Sequence, residues 1–346
     1  MLVGKTSKSG NPCELIKRDL LMKINVIHAL PKSSSAFGKD HDGFSAAMNE
    51  IAKHHDVEWV NVHPANDDFR RQVDRIMRAD FVLVRSDWGW YPDAISASRL
   101  ARSGVPCGLV VAGSHKPASQ LQSLRYDVVF YETPWYSQFV AGHPFAVKAF
   151  GIDTSAMRDL HMDRDIDWLF VGRLAKFKRP LRLLEKTGRR VVVGDLASAN
   201  EGLKEALIAD GVELVDHVSQ EELGRYYNRS KCVLVPCELQ GGGERAVLEA
   251  RLCGCQVEIA DDNPKLASLL HGPVPSHLDY ARQLQEAIEE VMAGHRVDLT
   301  LKRLGELERE RDVFVDKARR SPHTIQLRTR NAFRRWRDGG ASQRGR

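Results

Sequence analysis

Short apolar runs alternate with amphipathic patterns along the first half of the chain. An apolar run of about four to eight residues between turn residues is typical of a strand buried on both faces, whereas apolar residues at helical spacing indicate an amphipathic helix. The predicted strands are MKINVIHAL, VEWVNVH, DFVLVRS, VPCGLVVAG and YDVVFYE, and the predicted helices between them are FSAAMNEIAKHH, DDFRRQVDRIMRA and DAISASRLARSG. Strand and helix in turn predict a parallel, Rossmann-like sheet covered on both faces.

The second half starts the same alternation again. Its predicted strands are IDWLFVGRL, RRVVVGD, VELVDH, KCVLVPC and QVEIA, and its predicted helices are RPLRLLEKTG, NEGLKEALIADG, SQEELGRYYNRS and GGGERAVLEARLCG. We therefore predict an N-terminal extension over residues 1–21, a first domain over 22–152, a second doubly wound domain over 153–300 and a basic helical tail over 301–346. Two such domains would face each other across a cleft, where ligands of parallel sheets bind at the carboxyl ends of the strands.

Length and composition agree with two soluble domains. The chain has 346 residues, of which 42% are apolar and 28% charged, a balance that excludes disordered and fibrous classes. No apolar run approaches the roughly 20 residues of a spanning helix, and the first residues lack a signal-peptide core, so we expect a cytoplasmic protein. The six cysteines form no CxxC pair and lie mostly in apolar runs, which predicts buried thiols rather than a zinc or disulfide framework.

The stretch LQGGGERAVLEARLCG is the first candidate for a functional site, because three consecutive glycines precede a predicted helix. Gly241, Gly242 and Gly243 lead into a helix that is predicted to begin near Glu244 and to end at Gly254. Its predicted buried face carries Ala246, Val247, Ala250 and Cys253. A glycine-rich approach lets an anion reach the N–H groups and positive dipole end of a helix, so a phosphate is one interpretation. A turn with a solvated capping glutamate is the other.

Three further segments follow predicted strands and carry polar or aromatic groups. In FVGRLAKFKRP, Arg173 and Lys178 come just after a strand, where a guanidinium fork and a mobile ammonium suit a diphosphate, although a solvated basic turn would look the same. In VVAGSHKP, His115 could bind a ligand or stabilise charge, or could be structural. In SDWGWYPD the aromatic side chains could form a wall for a sugar or base, or could be ordinary packing.

Taken together, these segments resemble the GT-B glycosyltransferases of the family 4 type. The likeness covers nearly all of residues 23–275. KAFGIDTSAM is similar to the family's interdomain segment N-G-V-D-T, FVGRLAKFK to its G-R-L-x-x-x-K, VVVGD to its V-V-G-D/E-G, and GGGERAVLEARLCGCQV to its E-x7-E region with A-x-x-x-G-x-P-V. The resemblance implies an α/β chain with the GT-B fold, in which the first Rossmann-like domain takes the acceptor and the second the nucleotide-sugar donor.

The resemblance also implies site residues. Arg173 and Lys178 would hold the donor diphosphate, Glu249 the ribose hydroxyls, and His115 would lie near the donor sugar. The first acid of E-x7-E falls on Gly241, so we expect Glu244 to contact the sugar instead, through a reshaped loop. His217 and Val218 match the base-binding edge, and the loop with Phe37 and Gly38 matches the one that approaches donor and acceptor. The remaining residues predicted to bind the donor are Gly172, Gly241, Gly242, Gly243 and Arg245.

The implied reaction is transfer of a sugar from a UDP- or GDP-sugar to an acceptor hydroxyl, with the anomeric configuration retained. Positive side chains would hold the departing charge, so neither a carboxylate dyad nor a metal or other cofactor is required. Two other classes of function stay open: a non-catalytic protein of this fold that binds nucleotide-sugars or nucleic acid, and a GT-B epimerase. Release of free nucleoside diphosphate would separate transfer from binding.

The charge is concentrated at the end of the chain. Residues 317–346 hold Lys317 and nine arginines against Asp338, a net +9 within an overall +5, so the remainder carries −4. TIQLRTRNAFRRWRD could form a basic amphipathic helix that packs back on the first domain, as GT-B chains commonly do. It could instead bind an anionic membrane carrying a lipid-linked glycan acceptor, or nucleic acid with a modified base as acceptor.

Overall fold

The computed structural model describes residues 21–28, 42–63, 66–68, 71, 72, 75, 78–85, 105–111, 126–196, 199, 200, 202–239 and 241–293. The first sheet contains β1 (Lys23–His28), β2 (Asp56–Asn61), β3 (Phe81–Arg85), β4 (Cys107–Val111), β5 (Val128–Tyr131) and β6 (Ala146–Lys148), in the order β2-β1-β3-β4-β5-β6. Every pairing is parallel. All five residues of β3 and of β4 are buried, as the continuous apolar runs predict.

The second sheet contains β7 (Ile166–Val171), β8 (Arg190–Val193), β9 (Glu213–Val215), β10 (Ser230–Val235) and β11 (Gln256–Ile259). Their order is β11-β10-β7-β8-β9, again with parallel pairing throughout. The prediction of two doubly wound parallel sheets is thus confirmed, and each predicted strand is found. The short β6 was not predicted, because three residues give too little pattern to identify.

The helices in the described part of the chain are α1 (Gly43–Ile51), α2 (Pro134–Val140), α3 (Leu203–Ala209), α4 (Gln220–Asn228), α5 (Glu244–Leu252), α6 (Pro264–Ala267) and α7 (His277–Met292). The predicted helix RPLRLLEKTG is wrong in type, since Pro180–Glu185 forms a 3-10 helix. Its N–H groups bond three residues back, as from Arg182 to Arg179, whose φ of +50° lies in the left-handed region. Helix α5 agrees with its prediction in start, end and buried face.

The chain crosses between the domains at two adjacent points. Ile152 pairs with Ser276 in a parallel bridge, and the first crossing lies so close to α1 that a Cβ on Gly43 would stand 1.8 Å from the carbonyl oxygen of Gly151. Beyond the second crossing, α7 begins with a capping box of Ser276 and Asp279 and packs against α1. Helix α7 therefore packs on the first domain, and the tail 317–346, for which such packing was one interpretation, lies outside the described residues.

Three further observations bear on the site. The cysteines that the structure describes, which are Cys107, Cys232, Cys237, Cys253 and Cys255, are free and buried, as predicted. Among the described residues, no group of three or more His, Cys, Asp or Glu side chains is arranged to hold a metal ion. No helix in the same ranges is long and apolar enough to cross a bilayer.

Candidate active site

The three glycines 241–243 precede the first turn of α5, whose Glu244 and Arg245 bond to Tyr136 and Glu132, just beyond the carboxyl end of β5 in the first sheet. Gly242 and Gly243 have φ values of +73° and +102°, which side chains rarely adopt. A Cβ on Gly241 would lie 2.9 Å from the carbonyl oxygen of Phe177, and one on Gly243 would lie 2.7 Å from the Sγ of Cys237. The protein's own packing therefore requires these glycines. Gly243 is the N-cap of α5 and provides no side chain to bond the N–H groups of its first turn.

The four basic residues in the turn after β7 lie in different environments. Arg179 makes a bidentate ion pair with Asp262, at 2.8 and 2.7 Å, and Lys176 is exposed. Arg173 is half-buried, with its guanidinium 5.7 Å from the ring centroid of Phe177. Arg173 and Lys178, the two cations predicted to hold a diphosphate, are half-buried, as is Arg179.

Lys178 lies among charges of the second domain. Burial lowers the pKa of its ammonium, and the nearby Cys237 and Glu244 act in the opposite direction. Gly172, also predicted to bind the donor, comes just before Arg173, with φ of +143°, and an added Cβ there would lie 3.9 Å from the Cε of Lys178. A lysine whose charge is disfavoured by burial gains most from an incoming anion, because the anion restores its protonated form.

Glu244 is buried at the start of α5 and receives donors from both domains. The hydroxyl of Tyr136, on α2 of the first domain, donates to its Oε1 at 3.0 Å. The ammonium of Lys265, on α6 of the second domain, lies 2.8 Å from the same oxygen. Burial and the neighbouring Glu244 raise the pKa of Tyr136, so the phenol stays a hydrogen-bond donor. The acid predicted to contact the donor sugar is therefore held at the domain interface.

Arg245 points to the first domain. It bonds to Asp42, the N-cap of α1, and its Nη2 donates to Glu132 at 3.2 Å. Arg85, the last residue of β3, also bonds to Asp42. Burial would raise the pKa of Asp42, but Arg245 and Arg85 together hold it well below its usual range. Burial raises the pKa of Glu132 despite Arg245. The predicted role of Arg245 at the donor stays a prediction, since its bonds here join the domains.

Glu249 lies on a different side of α5 from Glu244. Its Oε2 accepts a 2.8 Å hydrogen bond from the hydroxyl of Tyr227, and the side chain is buried. Burial raises the pKa of Glu249 to about 7, against the bond from Tyr227 and the charge of Arg245. The two glutamates therefore serve separate contacts, as their five-residue spacing predicts.

The remaining predicted residues lie in other parts of the chain. His217 and Val218 lie in the loop after β9, where the His217 N–H donates to the Asp216 carboxylate at 2.8 Å and Val218 packs against the core. Gly38, Phe37, His115 and the aromatic segment 88–91 lie outside the described residues. For these, the sequence predictions stand as made.

Several charged or polar residues of this interface were not predicted from the sequence, namely Asp42, Arg85, Glu132, Tyr136 and Lys265. A usable signal did exist for Arg85, which ends an otherwise apolar strand, and for Glu132, which directly follows another. Charged residues at the carboxyl end of parallel strands lie on the ligand-binding edge. Lys265 lies six residues after the end of β11, directly after Asn263-Pro264. The same rule, applied to the second sheet, would therefore have indicated Lys265.

Comparison with known proteins supports this architecture. Scanning the sequence against protein-family models and searching the curated proteins gave no match. Among solved structures, the chain is similar to AviGT4, a glycosyltransferase involved in avilamycin A biosynthesis, at 17% identity and a TM-score of 0.52, over 86% of this chain and 97% of that one. It is also similar to HepE of Anabaena in complex with UDP-glucose, at 14% identity and a TM-score of 0.51, over 90% and 98%. The chain therefore has the GT-B fold of glycosyltransferases, with two Rossmann-like domains that meet at the carboxyl ends of their strands.

Proposed function

We propose that the chain is a retaining glycosyltransferase that transfers a sugar from a nucleoside-diphosphate sugar to an acceptor hydroxyl. The observation that carries the proposal is the position of Arg173 and Lys178, which lie half-buried at the carboxyl end of β7, near the N-terminus of α5. Cations beside a helix N-terminus that has no side-chain cap favour a phosphate group. The GT-B fold, and its likeness to a structure bound to UDP-glucose, supports the same donor class.

The proposed reaction replaces one bond at the anomeric carbon. The bond from this carbon to the β-phosphate oxygen breaks, and its electron pair stays on the phosphate. The acceptor oxygen then bonds to the same face of the sugar, and its proton passes to a phosphate oxygen. Arg173 and Lys178 stabilise the charge that develops on the leaving diphosphate, which is the main contribution that such a site makes to rate.

The other predicted residues complete the donor site in this proposal. Glu249 accepts hydrogen bonds from the ribose, the loop at His217 and Val218 borders the base, and Glu244 contacts the sugar. His115 and Gly38 approach the donor from the first domain.

The acceptor is a glycan, a lipid-linked glycan or a modified nucleic-acid base, and residues 317–346 supply an attractive surface for an anionic acceptor or for the membrane that carries it.

Substitution of the two cations tests the donor site. Arg173→Ala and Lys178→Ala should each abolish transfer, because each removes charge stabilisation worth about a hundredfold or more in rate. The matched control is Lys176→Ala, which removes an exposed cation from the same turn and should retain activity. The measurement is release of UDP or GDP from their sugars, after a thermal-shift screen has identified the nucleotide that binds. Wild-type turnover in either of the first two variants contradicts the proposal.

Independence of a metal ion follows from the same mechanism. Because fixed cations neutralise the diphosphate, we expect the transfer rate of the enzyme as purified to be unchanged when EDTA is added. The rate with added Mg²⁺ or Mn²⁺ is the reference. A large loss with EDTA that these ions restore would mean that a metal, and not Arg173 and Lys178 alone, holds the leaving group.

A further inference from the structure

Glu244 has an unusual position for a carboxylate beside a proposed diphosphate site. It is the first residue of α5, it is buried, and both of its bonds, from Tyr136 and from Lys265, are to Oε1. An ionised carboxylate has about four acceptor positions on its two oxygens. Within the described residues, Oε2 receives no hydrogen bond, so this oxygen retains the capacity to accept one from a ligand.

Lys265 is held firmly where it meets Glu244. It is buried on α6, and the N-cap Asn263 fixes this helix to the loop between β10 and the three glycines. The Nδ2 of Asn263 donates to the carbonyl oxygens of Cys237 at 3.0 Å and Glu238 at 3.2 Å. A fixed ammonium loses less conformational entropy when it binds than a mobile one would. Lys265 is therefore a rigid partner and not a flexible surface cation.

The ion pair also neutralises the repulsion that Glu244 would otherwise exert on a diphosphate. A glutamate near a diphosphate would repel it, because like charges a few ångströms apart interact by several kcal/mol at a protein surface, about 4 kcal/mol at 4 Å. Lys265, 2.8 Å from the Oε1 of Glu244, makes the pair neutral. A neutral pair can approach the donor while Oε2 keeps its capacity as a hydrogen-bond acceptor.

The third component comes from the other domain. Tyr136 lies on α2, whose start follows the carboxyl end of β5, and its ring centroid is 5.9 Å from the ammonium of Lys265. Its hydroxyl reaches Glu244 across a separation of 108 residues. The bond exists only while the two domains are in contact, so the orientation of Glu244 depends on their closure.

From these contacts we propose that Lys265 and Tyr136 are positioning residues that orient Glu244 so that its Oε2 accepts a hydrogen bond from a hydroxyl group of the donor sugar. The inference rests on the proposed function and adds one point to it. Because Tyr136 of the first domain orients Glu244, recognition of the sugar, unlike that of the nucleotide, requires both domains.

The test compares affinity for a nucleotide with affinity for its sugar, by calorimetry on the full chain. The probes are UDP with UDP-glucose and GDP with GDP-mannose, using the pair that binds the wild type. Tyr136→Phe removes only the hydroxyl. Because Lys265→Met alone leaves a buried charge unpaired, it is combined with Glu244→Met, since an apolar replacement of a whole buried ion pair is often tolerated. The control is Lys186→Met, which breaks a pair with Glu258 in another part of the second domain.

We expect the double variant to lose about tenfold or more in affinity for the nucleotide-sugar, and Tyr136→Phe to lose several-fold, with nucleotide affinity unchanged in both. Adding Tyr136→Phe to the double variant should have no further effect, because Tyr136 acts through Glu244. Lys186→Met should leave both affinities unchanged. If the variants lost the same factor in affinity for the nucleotide and for the nucleotide-sugar, or if neither affinity changed, the inference would be overturned and the proposed function would stand. A wild type that binds neither pair would overturn the proposed function itself.

Discussion

Glu249 illustrates how strongly a single environment acts on a side chain. Burial raises the pKa of its carboxyl from 4.5 to about 7, and the hydrogen bond from Tyr227 only partly compensates. An acid whose pKa is higher in the folded chain than in the unfolded chain binds its proton more tightly when folded. The free energy of unfolding contributed by Glu249 is therefore lost as the pH rises from about 4.5 to about 7, and it changes little above that.

This shift predicts how Glu249→Gln changes stability with pH. The amide cannot ionise, so the variant does not lose stability as the pH rises. The unfolding free energy of the variant minus that of the wild type should therefore be about 2 kcal/mol larger at pH 8 than at pH 5. Urea denaturation of both proteins at the two pH values measures the difference. Glu286→Gln, which makes the same change at an exposed position of α7, is the control. A difference of the opposite sign for Glu249→Gln would show that the carboxyl is not destabilised by burial.

At the scale of single elements, α5 was predictable and α7 was not. The helical spacing of apolar residues and the closing Gly254 specify α5 within its own sequence. Helix α7 begins with a capping box of Ser276 and Asp279, which α5 lacks, but the sequence analysis did not predict this helix. Which helix covers the first domain is decided by tertiary contacts such as those of Tyr280 with Phe44 and Phe150, and spacing along the chain does not contain them.

The start of α5 offers a matched comparison with the start of α3. Gly243 and Gly202 are both N-caps with positive φ, +102° and +79°, but a Cβ on Gly243 would lie 2.8 Å from Val235 Cγ1, whereas one on Gly202 would meet nothing within 4 Å. Gly202→Ala should cost only the strain of a left-handed alanine, about 1–2 kcal/mol. Gly243→Ala should cost this and an additional 1–3 kcal/mol or so from overpacking.

Chemical denaturation of the two alanine variants separates these contributions. A larger loss of unfolding free energy for Gly243→Ala than for Gly202→Ala would confirm that the glycine segment is required by internal packing against Val235 and Cys237. Equal losses would mean that the crowding at Gly243 relaxes without cost. In that case the three glycines would be explained better by the approach of a ligand than by the fold.

For the molecule as a whole, the sequence specified the two sheets but not how they meet. The buried interface joins residues far apart in the chain, such as Tyr136 with Glu244 and Asp42 with Arg245, which are separated by 108 and 203 residues. No local pattern encodes such pairs. Arg173, Lys178 and Glu249 were predicted to bind the donor because they lie within short motifs, whereas Asp42 is distinguished only by its contact with Arg245 across the domains.

Arg245 connects the domains most directly, and its removal tests this arrangement. Arg245→Met leaves the buried Glu132 without its cation, and Asp42 with Arg85 alone, so we expect a loss of about 2 kcal/mol in unfolding free energy. We also expect a larger radius of gyration in solution scattering, because the carboxyl ends of the sheets would lose an attraction that holds them together.

Arg251→Met is the matched control, because Arg251 lies on the same helix but bonds to the carbonyl oxygens of Leu269 and Gly272 within its own domain. It should reduce stability without changing the radius of gyration. A saturating nucleotide-sugar should return Arg245→Met toward the wild-type radius, since a donor that contacts both domains favours the closed arrangement. If Arg245→Met keeps the wild-type radius with and without the donor, then the apolar packing of α7 on α1 is sufficient to hold the domains together, and the ion pairs of Arg245 serve another purpose.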